Sequence, residues 1–137
     1  MSNNTHLKPT KEQLQKQLNA IAWQEKKELI ETHYPEFKKF EGRYFKVKNH
    51  YGNPEKRSDW WWLYTKVTQI NPDDVYDTNG NGVGCHCKGY TFQTCKYGNV
   101  EIEKNKQTYI HSLGQEITEK EFVEAWNKLM SNLEKLG

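Results

Sequence analysis

The chain has 137 residues, which suits one domain. Hydrophobic residues make up 34% of it and the formal net charge is +2, so the composition excludes a large aliphatic core and the strong basicity of a dedicated polyanion binder. No run of about 18 apolar residues is present, which excludes a spanning helix.

The aromatic share of 13% supplies the burial that the aliphatics lack. Met1 to His6 has no apolar run, so no signal peptide is expected and the expected compartment is the cytoplasm. Three cysteines, an odd number, fit a reducing compartment and need no disulfide. Nothing in the sequence calls for a cofactor.

Residues 1–9 read as a flexible tail and residues 10–137 as a single α+β domain. Thr10 is a helix N-cap, with Gln13 placed to close a capping box. Leu14, Leu18, Ile21, Ala22 and Leu29 recur at helical spacing, widened by Trp23 and Ile30. The spacing predicts a helix over 11–32, ended by Pro35, with Phe37 and Phe40 in the connection that follows. Residues 43–48 alternate Phe45 and Val47 with Lys46 and Lys48, the pattern of a half-solvated strand. Residues 50–54 carry turn chemistry and open a basic loop.

Trp60-Trp61-Trp62-Leu63-Tyr64 is the most apolar stretch and reads as the central strand. Its alternate faces are Trp60/Trp62/Tyr64 and Trp61/Leu63/Val67. After a polar connection, further strands are expected over 85–95, 100–103 and 107–113, with turns at 96–99 and at Asn105-Lys106. Thr118 and Glu121 then form a capping box ahead of the stripe Phe122, Trp126, Leu129, Met130 and Leu133. The expected fold is N-terminal helix, an antiparallel meander of about five strands or a small SH3-like barrel, and C-terminal helix.

Three groups of residues are candidates for a site. Cys85, Cys87 and Cys95 with His111 could ligate zinc, but a Cys-x-Cys spacing on one strand sets the thiols roughly 7 Å apart, unlike the usual tight-turn pairs. Small buried strand residues are the commoner reading. Asp77, Asn79 and Asn81, with Gly82 next, match the opening of an EF-hand calcium loop, but Lys88 stands where the bidentate glutamate belongs. An Asn-Gly turn explains the same residues. The third group is basic and aromatic. Residues 38–66 hold eight Lys/Arg against three acidic residues, whereas residues 73–137 hold seven against ten. In that first half Tyr44, Lys46, Lys48, Lys56, Arg57, Trp60, Trp62, Tyr64 and Lys66 are the candidate binding residues. Solvated lysines over core aromatics would give the same pattern.

Catalysis has little support. Ser2, Ser58, Ser112 and Ser131 lack a nucleophile-elbow context, and a Cys95–His111 pair would lack a third orienting group.

Gly42-Arg43-Tyr44-Phe45-Lys46, Trp61-Trp62-Leu63-Tyr64-Thr65-Lys66-Val67 and Ile117-Thr118-Glu119-Lys120-Glu121-Phe122 resemble stretches of small accessory proteins encoded by bacteriophages and mobile elements. The resemblance implies a non-enzymatic factor in the host cytoplasm that docks a host protein, in some cases one of a defence system. It carries no active site and assigns no residue. The expected function is therefore docking of a macromolecular partner, a protein ahead of a nucleic acid because the net charge is modest, with no membrane contact. A nucleic-acid-binding small barrel and a zinc- or calcium-stabilised domain are the alternatives.

Overall fold

A computed structural model of the chain describes residues 8–50, 60–95 and 98–136. The tail expected over 1–9 and the basic loop after residue 50 therefore lie largely outside the described residues, and Lys56 and Arg57 wholly so.

Helix α1 spans Lys11–Lys38. Thr10 caps it as the sequence requires: Gln13 N donates to Thr10 Oγ1 at 3.1 Å and Thr10 N to Gln13 Oε1 at 2.8 Å. The helix runs through Pro35, where the sequence predicts its end. Proline removes one backbone donor and crowds the preceding turn, so tertiary anchoring must offset that cost. The anchors flank it. Tyr34 Oη donates to the Ile70 carbonyl at 2.9 Å, and Phe37 packs on the core.

Strands β1 (Tyr44–His50), β2 (Trp60–Gln69), β3 (Val75–Asp77), β4 (Val83–Thr94), β5 (Val100–Tyr109) and β6 (Gln115–Ile117) form one antiparallel sheet. Its order is β3-β4-β2-β1-β6, with β5 also on β4. The sheet is open, so the antiparallel sheet between two helices is as expected and the barrel is not formed; β6 returns to pair with β1. Helix α2 (Glu119–Leu136) closes the chain.

Two predicted strands are one. β5 passes through Asn105 and Lys106 without turning, because the ladder takes up the extra residue as a bulge: Gly89 faces Lys106 and Thr91 faces Glu103, leaving Tyr90 against two residues. β3 and β6 are three residues each, too short to show periodicity. At the 96–99 turn, residues 96 and 97 lie outside the described residues; Cys95 N donates to the Asn99 carbonyl at 2.8 Å.

The core lies between one face of the sheet and the C-terminal half of α1. Phe45, Val67, Ile70, Val75, Cys85, Cys87, Ile110 and Leu113 are buried there, with Leu29, Ile30 and Phe37 of α1 packed against them. Lys26 Nζ adds a hydrogen bond to the Val75 carbonyl. The first half of α1 has no such cover: residues 11–25 are all exposed.

Candidate docking face

Directly opposed residues on antiparallel strands share a face. The β1–β2 register sets Tyr44 against Lys66, Lys46 against Tyr64, Lys48 against Trp62 and His50 against Trp60. The described candidates of the third group thus share one face. β4 extends it, with Phe92 beside Tyr64 and Tyr90 beside Lys66. Trp61 and Leu63 point to the other face, where α1 lies.

Helix α2 lands on the middle of this face. Thr118 Oγ1 accepts from Glu121 N at 3.1 Å, so the expected cap is present. The apolar stripe then meets the sheet. Phe122 lies with ring centroids 4.9 Å from Tyr44 and 5.0 Å from Phe92, and Trp126 lies 5.3 Å from Phe92. Tyr64 stacks on Phe92 at 5.0 Å. Burial pushes the Tyr64 hydroxyl pKa up, Lys46 opposes this, and Glu121 adds to it. Tyr44 and Tyr64 therefore pack under α2, which divides the face into two ends.

At one end Trp60 and Trp62 form an edge-to-face pair, 5.3 Å between centroids. Each carries an ammonium: Lys46 Nζ is 4.5 Å from the Trp62 centroid and Lys48 Nζ 4.6 Å from that of Trp60. Lys46 also pairs with Glu121 at 2.7 Å. A cavity of about 260 Å³ adjoins Trp62 and runs along α2 past Ala125, Lys128 and Leu129. Lys66 lies apart from this corner, its Nζ 5.5 Å from the Tyr44 ring.

At the other end lies a cluster that the sequence reading passed over. Tyr76, His86 and Tyr109 meet, with His86 4.9 Å from Tyr76 and 4.6 Å from Tyr109, and His111 5.6 Å beyond Tyr109. Alternation from Phe92 through Tyr90 and Lys88 to His86 is the signal in the sequence that places His86 on this face.

On the opposite face Gln93 is a hub, also absent from the sequence reading. Its Oε1 accepts from Trp61 Nε1 at 2.7 Å and Asn49 Nδ2 at 3.0 Å, while its Nε2 donates to Glu101 Oε2 at 2.6 Å. This fixes Trp61 by its polar edge.

Of the metal candidates, His111 adjoins the Tyr109 ring, whereas the cysteines and the Asp77–Asn81 turn sit apart from this geometry. Cys85 and Cys87 are fully buried, and burial pushes both thiol pKa values up to about 11. Zinc requires thiolates, which this environment disfavours. Asn79 adopts φ 57° with Gly80 at 90°, and Thr78 Oγ1 donates to the Gly82 carbonyl at 2.6 Å, so Asp77, Asn79 and Asn81 border a tight turn. Among the described residues no three His, Cys, Asp or Glu side chains converge to hold a metal ion. No helix among them is long and apolar enough to cross a membrane.

Compared with known proteins, the chain matches no family model, no curated sequence and no solved structure.

Proposed function

We propose that this chain is a non-enzymatic binding domain that docks a protein partner through the Trp60–Trp62 corner. The observation that carries the reading is the tryptophan pair topped by two lysine ammoniums beside an open groove. Half-buried tryptophans held in place by neighbours present large apolar area at little entropic cost, the property of interface anchors. Lys48 supplies a charge at the rim that steers an acidic partner. The likeness of three stretches to phage and mobile-element accessory proteins agrees with a host protein as that partner, and with action in the host cytoplasm.

The test compares wild type with Lys48→Glu and Trp62→Ala in quantitative affinity capture from host extract, followed by titration of the purified partner. The reading expects one partner retained by wild type and lost by both variants while their circular dichroism is unchanged. Equal retention by all three overturns it.

A second reading, a single-stranded nucleic acid on the other end of the face, has its own observation. The paired positions there are Lys66, Tyr76, His86, Lys88, Tyr90 and Tyr109, completed by Gln69, Gln107 and Gly84, without one carboxylate. Stacking rings among cations suit single strands. Oligonucleotide affinity that falls steeply with salt and is lost in Tyr90→Ala would favour it; no binding at low salt removes it.

A further inference from the structure

The N-terminal half of α1 is an arm that stays exposed among the described residues. From Lys11 to Glu25 it extends about 22 Å at helical rise, and every residue along it is exposed. Leu18 is 60% exposed, Ile21 55% and Leu14 46%. At 100° per residue these three fall on one stripe, which Leu29 continues onto the core, while Ile30 and Phe37, also packed on the core, lie about a third of a turn round the helix. Isolated helices of about 12–15 residues are marginal in water, so an arm of this length gains stability from cover on that stripe.

We infer that the cover is the same stripe of a second copy, packed antiparallel about a two-fold axis near Leu18. Charge decides both the occupant and the direction. Lys11 and Glu25 stand seven residues either side of Leu18, on the same stripe, and Leu14 and Ile21 stand four and three residues either side. Antiparallel packing brings Lys11 of each copy against Glu25 of the other and Leu14 against Ile21, each contact made twice by symmetry. Parallel packing would set Lys11 on Lys11 and Glu25 on Glu25, and would bring both sheets to the same end. The positions flanking the stripe, Gln15, Gln17, Ala22 and Gln24, are neutral and oppose neither copy. The buried area is at the low end for a specific interface, so association depends on concentration.

Sedimentation equilibrium of the full chain, from micromolar to millimolar, tests this. The mass rises from 16.3 kDa toward twice that value in wild type and stays at 16.3 kDa in Leu18→Glu. Lys11→Glu weakens association about tenfold, and adding Glu25→Lys restores it. If Leu18→Glu loses helicity, this charge exchange decides alone. A wild type that stays monomeric at millimolar concentration overturns the inference, as does an exchange that restores nothing. So does a monomeric wild type whose arm binds the partner of the tryptophan corner instead.

Discussion

Lys46 Nζ lies 4.5 Å from the centroid of Trp62 and, at the same time, 2.7 Å from Glu121 Oε2. One ammonium thereby joins β1, β2 and the first turn of α2. Glu121 is where the sequence asks for a capping-box carboxylate, and the helix N-terminus favours a negative charge there in any case. Lys46 is little exposed and Glu121 partly so, which screens the pair only in part.

Replacing Lys46 by Met keeps the apolar stem and removes the charge. The expected loss is about 1 kcal/mol, combining an ion pair with a cation–π contact. Urea unfolding of Lys46→Met, Glu121→Gln and the double variant checks it. Full additivity of the two single losses would show that the pair is not coupled.

Two glycines in β4 differ in what a methyl group would meet. At Gly84 an added Cβ would fall 2.5 Å from the far end of the Tyr76 ring, a side chain that can shift at the cost of its contact with His86. At Gly89 it would fall 2.4 Å from the Lys66 carbonyl, which belongs to the ladder. Gly89→Ala is therefore expected at or above the top of the overpacking range of about 1–3 kcal/mol, and Gly84→Ala near its bottom. Thermal unfolding of both variants measures the order. In Gly84→Ala, combined Tyr76→Ala recovers the loss; in Gly89→Ala it does not.

Trp23 and Phe92 mark opposite extremes of burial, 69% against 3% exposed. Trp23→Ala is expected to change stability by no more than about 0.5 kcal/mol, whereas Phe92→Ala, which removes the ring that Tyr64, Phe122 and Trp126 share, costs about 3–5 kcal/mol. Chemical denaturation distinguishes the two. A Trp23→Ala loss as large as that of Phe92→Ala would place the arm of α1 on the sheet.

The same pair shows how far the sequence carries. Phe122, Trp126 and Leu129 follow one helical stripe with a cap in front of it, and they pack as that stripe requires. In α1 a single broad stripe reads as one packed face. Its first half stays exposed while Leu29 on the same stripe packs on the core, because the sheet ends before the helix does, and local spacing carries no record of where a sheet ends. The run Trp60-Trp61-Trp62 gives β2 and its alternation correctly. Which of its faces receives α2 depends on the long-range register of β1, β2 and β4. The Gln93 hub and the Tyr76–His86–Tyr109 cluster join residues from different strands, and no short motif announces them.

Cys85 and Cys87 give the pH dependence. Burial raises both thiol pKa values from 9.0 to about 11 in the folded chain. The unfolded chain ionises them first, so below the ordinary thiol value both states keep the protons and no term arises. Between about pH 9 and 11 the unfolded state binds fewer protons than the folded one, and stability falls as pH rises. The Tyr64 hydroxyl, also raised by burial, shifts stability in the same direction at higher pH. The urea midpoint is expected to drop from pH 8 to pH 10.5, and Cys85→Ala/Cys87→Ala flattens that drop while costing stability at pH 8 through lost packing. Thiol labelling at pH 8 supplies the independent check: Cys85 and Cys87 react at the rate of unfolding and accelerate with urea. Rapid labelling of either in the absence of denaturant would show that the pair is open to solvent.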